Sequence, residues 1–218
     1  MPRTLLLDLD GTLVDTVPDL EAALNRLMAN RGLPGFTTAE VKSMVGDGVV
    51  ALVGKAFAAR GGAPDAAAVG DFTADYQGHV AVGSRLYPAV PETLEALAAA
   101  GWTLAICTNK PERPARALLQ TLGLMPLIAA VGGGDSFPAR KPDPSHLLAT
   151  LGLVHGCVER TVMLGDHHND IVSARGAGVA GIFAAWGYGA PGMETGCAAI
   201  AHDIREAAAI AERLVPTG

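Results

Sequence analysis

Thr4-Leu5-Leu6-Leu7-Asp8-Leu9-Asp10-Gly11-Thr12 runs an apolar segment into two acids and a glycine. A short apolar run closed by a turn signal reads as a strand buried on both faces. The expected strand is Thr4–Asp8, and four runs downstream repeat the pattern: Thr103–Cys107, Leu127–Val131, Thr161–Leu164 and Gly181–Ala184. Stretches of helical period lie between or after them: Leu94, Leu97 and Ala98; Ala115, Leu118, Leu119 and Leu122; Leu147, Leu148 and Leu151; Ile204, Ala207, Ala208 and Ala211. Such alternation predicts an α/β fold, a Rossmann-like parallel sheet with helices on both faces.

From Thr16 to Arg85 the alternation stops, and only helical pattern is legible. Leu20, Ala23, Leu24, Leu27 and Met28 form one stripe, with Pro18 suited to a first turn. Further helices are expected over Thr38–Val45, Val49–Arg60 and Asp65–Val82, with glycine and proline between them. The expected organisation is a core of residues 1–15 and 86–218 with an inserted helical domain of residues 16–85. The return hinge falls near Leu86-Tyr87-Pro88.

Composition narrows the function. Half of the 218 residues are hydrophobic, 17% are charged and the net charge is −6, with no basic patch. Nucleic acid is thereby disfavoured as a partner. No apolar run is long enough to span a bilayer, and Asp8 and Asp10 interrupt the first one, so no membrane association or secretory signal is expected. A cytoplasmic location is the default, and the chain reads equally as a monomer or a homodimer. Cys107, Cys157 and Cys197 are too scattered for a disulfide framework, and Cys107 reads as a buried strand residue.

The strand ends hold the chemistry-bearing residues. Ligands of open α/β sheets bind outside the carboxyl ends of the strands. Asp8 and Asp10 share a side if the strand persists through both. Close carboxylates repel, so the pair reads as a cation site, as an acid beside an ionised partner, or as an Asp-capped turn. Thr108-Asn109 after the second strand reads either as a phosphate-binding pair or as a helix cap. Lys141, before Pro142 and the capping Asp143, offers a cation for phosphate or is a loop lysine. Asp166 and Asp170, in Gly165-Asp166-His167-His168-Asn169-Asp170, are spaced to share a face of a helix's first turn and offer oxygen ligands suited to magnesium. The adjacent His167 and His168 lack the spacing of a transition-metal pair and read as loop residues at the mouth of the site.

In this order and at these intervals, the motifs Asp8-Leu9-Asp10-Gly11-Thr12-Leu13, Thr108-Asn109, Lys141-Pro142, and Gly165-Asp166 with Asp170 resemble those of the haloacid dehalogenase superfamily. The resemblance spans nearly the whole chain. It implies that Asp8 is a nucleophile forming an aspartyl-phosphate and Asp10 the general acid and base. It implies that Thr108, Asn109 and Lys141 bind the phosphoryl group. Magnesium would be held by Asp8, Asp166 and Asp10, the last through its main-chain carbonyl, with Asp170 supporting the metal or Lys141. Residues 16–85 would be the cap, and Gly46-Asp47-Gly48 either approach the far end of a small phosphorylated metabolite or form a plain interhelical turn. The second acid, Asp10, favours a phosphate ester over a haloacid. One position departs from the family: His167 stands where Ser or Thr is usual. A phosphomutase and a non-catalytic phospholigand-binding module are the competing readings.

Overall fold

A computed structural model describes residues 2–217. The chain begins with β1 (Arg3–Leu7), β2 (Val14–Asp15), α1 (Val17–Ala29), α2 (Thr38–Lys42), α3 (Val49–Ala59) and α4 (Ala68–Gly78). It continues through β3 (Arg85–Leu86), α5 (Val90–Ala99), β4 (Trp102–Cys107), α6 (Glu112–Thr121), β5 (Ala130–Gly132) and α7 (Pro144–Leu153). It ends with β6 (Thr161–Gly165), α8 (His168–Gly176), β7 (Ala180–Ala184), β8 (Ala199–Ala201) and α9 (Ile204–Leu214).

Six strands form one sheet in the order β5-β4-β1-β6-β7-β8, and every pairing is parallel. Leu5 and Leu7 enter one hydrophobic cluster and Leu6 another, so the central strand is buried on both faces. The chain builds outward from β1 through β4 and β5, then returns to lay β6 against the other side of β1. The switch in direction therefore falls between β1 and β6, where a doubly wound sheet opens its ligand crevice. Leu7 pairs with both Ile106 and Leu164, which aligns the ends of the three central strands.

Helices α1 to α4 pack around a separate cluster that includes Leu20, Leu24, Leu27, Val53, Phe57 and Phe72. Local chemistry explains their ends. Pro18 occupies the first turn of α1, and Thr37 and Glu40 form a reciprocal capping box on α2.

Several expectations need correction. The first strand stops at Leu7, although the Asp8 N–H still donates to the Leu164 carbonyl at 2.9 Å. Leu127 belongs to a 3-10 turn at Met125–Leu127, and the strand begins only at Ala130; Pro126 has no N–H for a ladder. The region read as purely helical ends in a strand, because Arg85–Leu86 pairs antiparallel with Val14–Asp15. That two-residue ribbon carries the chain into and out of the helical insert. α4 is shorter than expected, since Asp65 folds back to accept the Ala67 N–H instead of entering the helix. Leu148 is 42% exposed while Leu147 and Leu151 are buried. Adjacent positions lie about 100° apart on a helix and cannot share one narrow face. β8 was not anticipated.

Candidate active site

β1 and β6 deliver Asp8 and Asp166 to the switch point, and the first turn of α8 adds Asp170. One oxygen from each of these buried carboxylates lies within 4.8 Å of the other two. Lys141 reaches in from the loop before α7, its Nζ 3.0 Å from Asp8 Oδ1 and 2.5 Å from Asp170 Oδ1. It also donates to the Cys107 carbonyl at 2.6 Å, which fixes the ammonium under the end of β4. Three carboxylates against one ammonium leave a formal surplus of two negative charges.

That surplus shows in the acidities. Burial, opposed by Lys141 and reinforced by Asp170 and Asp10, pushes Asp8 up to about 6. Burial together with Asp8 and Asp170 pushes Asp166 up to about 8. For Lys141, burial acts against the charged form, but Asp170 and Asp8 outweigh it and raise its pKa. Hard oxygen donors, crowded and undercompensated, fit a divalent cation.

Asp166 is held on both oxygens, by the Thr12 hydroxyl at 2.9 Å and the Tyr188 N–H at 2.7 Å. A Cβ on Gly11 or Gly187 would overlap the Asp166 side chain, so both positions must stay bare. The Tyr188 hydroxyl donates to Asp15 at 2.7 Å and accepts the N–H groups of Thr16 and Val17 at 2.7 and 3.2 Å. Asp166 does not share a helical face with Asp170 as its spacing had suggested. It lies before the helix N-cap, His167, whereas Asp170 is three residues into the capping box. The two acids approach because Gly165 presents no side chain between strand and helix.

His167 is not a loop residue at the mouth. It is 7% exposed, and its Nδ1 accepts the Asn169 N–H at 3.3 Å while its own N–H donates to Asp170 Oδ2 at 3.0 Å. The ring thus performs the N-cap task for which Ser and Thr are usual. An acceptor at Nδ1 requires a neutral ring, and burial, with His168 adding to it, lowers the His167 pKa to about 4.

The other motif residues divide. Thr108 is buried at the end of β4, its hydroxyl oxygen accepting the Lys110 N–H at 3.2 Å. Asn109 does not cap α6; its Nδ2 donates to the Lys141 carbonyl at 2.9 Å and the Gly46 carbonyl at 3.0 Å. Gly46 and Gly48 line a cavity with Asp8, Asp10 and Thr108. Asp47 is turned to Lys55 at 2.7 Å and to Asn169 Nδ2 at 2.8 Å. The Asp10 carboxylate stands outside the three-acid cluster and faces Lys110, whose Nζ lies 3.1 and 3.2 Å from its two oxygens.

Sequence reasoning missed Lys110. It is buried, and Asp10 and Tyr76 raise its pKa although burial works against the charge. Its position directly after the motif pair Thr108-Asn109 was the available signal.

A doubly wound sheet that brings a nucleophile-type aspartate, a buried lysine and a cation-type carboxylate cluster to its switch point defines a phosphatase-type hydrolase. The family model for haloacid dehalogenase-like hydrolases matches residues 2–178. The chain belongs to the haloacid dehalogenase-like hydrolases. It is 44% identical to a phosphoglycolate phosphatase of Caulobacter vibrioides over 88% of this chain and 83% of that protein. A phosphoglycolate phosphatase of Rhodospirillum rubrum is 43% identical over 86% of this chain and 81% of its own length. Among solved structures, a predicted phosphoglycolate phosphatase from Haemophilus somnus 129PT superposes with a TM-score of 0.88 at 31% identity, covering 95% of this chain and 97% of the other. Among the described residues no helix is long and apolar enough to cross a membrane.

Proposed function

We propose that this chain is a magnesium-dependent phosphomonoesterase that hydrolyses 2-phosphoglycolate through an aspartyl-phosphate on Asp8. The meeting of Asp8, Lys141, Asp166 and Asp170 at the switch point carries this reading. The names of the two bacterial relatives support the substrate.

In this proposal residues 1–15 and 86–218 are the core, and residues 16–85 are a cap that closes over the substrate and excludes water. Asp8 attacks phosphorus, so that the Asp8–phosphorus bond forms as the ester phosphorus–oxygen bond breaks. Asp10 passes a proton to the departing glycolate oxygen. It then takes one from the water that cleaves the aspartyl-phosphate, which releases orthophosphate and restores Asp8. Lys141 and the Thr108 hydroxyl proton face the charge spread over the phosphoryl oxygens. Asp8, Asp166 and the Asp10 carbonyl would hold magnesium, with Asp170 holding Lys141 in place, and the bound cation supplies charge neutralisation.

The test is phosphate release from a panel of phosphomonoesters, in magnesium and in EDTA, with Asp8→Asn in parallel. Magnesium-dependent release greatest on 2-phosphoglycolate and absent in Asp8→Asn is expected. Release only from other esters rejects the substrate, and undiminished release by Asp8→Asn rejects the nucleophile.

A further inference from the structure

The cavity that opens on Asp8 and Asp10 is walled on its cap side by apolar groups, among them Leu20, Val45, Leu52 and Phe72. Among its described lining residues Lys110 is the one cation, and Tyr76 of α4 lies against it, with the lysine Nζ 4.4 Å from the ring centroid. Lys110 directs two contacts to Asp10, which leaves part of its three-donor ammonium uncommitted. Tyr76 is 4% exposed, and its hydroxyl has no hydrogen-bond partner within 3.5 Å; the nearby Lys110 ammonium is itself a donor and leaves the phenolic O–H without an acceptor. A buried phenol without a partner is destabilising, and buried hydroxyls normally find one. Thr73, the neighbouring cap hydroxyl, is already committed to the Val69 carbonyl at 2.7 Å. An otherwise apolar wall therefore offers one idle donor and one partly idle cation, side by side, in the cavity that also holds the nucleophile. A small anionic group that accepts a hydrogen bond satisfies both.

We propose that Tyr76 and Lys110 together bind the non-reacting carboxylate of the substrate and set the preference for a short acidic phosphomonoester. The inference rests on the reading of 2-phosphoglycolate as substrate and assigns its far end. With the phosphoryl group at Asp8, Thr108 and Lys141, the two-carbon remainder spans the cavity and presents its carboxylate to the cap. Tyr76 donates from its hydroxyl and Lys110 from its ammonium. The Tyr76 hydroxyl then gains its acceptor only when an anionic substrate is in place.

Tyr76→Phe removes the hydroxyl and keeps the ring that packs on Lys110 and stacks beside Phe72. The measurement is kcat/KM for 2-phosphoglycolate and for ethyl phosphate, which has the same two carbons and no carboxylate, in both proteins with saturating magnesium. The ratio of the two values should fall on the order of tenfold in Tyr76→Phe, through KM for 2-phosphoglycolate, as expected for a lost bond to a charged acceptor. An unchanged ratio, with wild-type protein turning over 2-phosphoglycolate, overturns the carboxylate assignment alone. A wild-type protein that turns over ethyl phosphate but not 2-phosphoglycolate overturns both this assignment and the substrate on which it rests.

Discussion

Two buried lysines meet the two acids of the first motif, Lys141 at Asp8 and Lys110 at Asp10, in opposite electrostatic settings. Lys141 stands among three carboxylates, and the surplus negative charge remains for a cation. Lys110 meets the single carboxylate of Asp10 and an aromatic face, so its half is balanced and otherwise walled by apolar side chains. The contrast teaches that the phosphoryl end is built by leaving charge unpaired, and the far end by leaving hydrogen-bonding capacity unused. Paired buried charge is electrostatically quiet, while unpaired buried charge costs stability and drives ligand uptake.

The comparison breaks most visibly through the nucleophile. Asp8→Asn should lower kcat on the order of 10⁴-fold, read as steady-state phosphate release, while circular dichroism stays native. If the Lys141 half is the one under electrostatic load, Lys141→Met should cost about 3 to 5 kcal/mol in metal-free urea unfolding, because several buried carboxylates lose their counter-ion. Lys110→Met strands only Asp10 and should cost less. Equal losses would refute the asymmetry. Magnesium at about 100 times its Kd should raise stability by about 2.7 kcal/mol, a Tm rise of roughly 5 to 11 °C for a chain of this size. Asp166→Asn, which removes a proposed ligand, should abolish that rise.

The smallest effect comes from behind Lys141. His146 is fully buried, its Nδ1 accepting the Lys141 N–H at 3.2 Å and its Nε2 donating to the Gly133 carbonyl at 3.1 Å. Burial and Lys141 lower its pKa from 6.5 to about 4. Below 6.5 the unfolded chain takes up a proton that the folded chain refuses until about pH 4, so stability falls as pH drops through that window. At pH 5 the loss is on the order of 2 kcal/mol relative to neutral pH. His146→Gln should flatten that part of the pH dependence of urea unfolding.

How much of this was legible in the sequence follows from range. Apolar runs such as Thr161–Leu164 announced core strands because their own composition demands burial on both faces. β8 is a three-residue Ala-Ile-Ala edge with no such demand, and only pairing with β7 makes it a strand. The β2–β3 ribbon joins Val14–Asp15 to Arg85–Leu86 across the whole helical insert, and two residues carry no periodicity. The motif acids could be read because they follow strand ends. The pairing of Lys110 with Asp10 could not, since the two are a hundred residues apart; the place of Lys110 directly after Thr108-Asn109 marks it as a site residue but does not name its partner. Tyr76 was hidden for the same reason, as one aromatic in a helix whose contacts arise only on packing against the core.

Tyr188 joins two parts of the molecule that the sequence keeps far apart. Its backbone holds Asp166, and its hydroxyl holds Asp15, Thr16 and Val17 where the chain leaves β2 for α1. The side chain therefore works as a connecting rod between the carboxylate cluster and the pivot of the insert. If the helical insert closes as proposed, movement of the first turn of α1 is transmitted through Tyr188 to Asp166, the residue proposed to hold the cation.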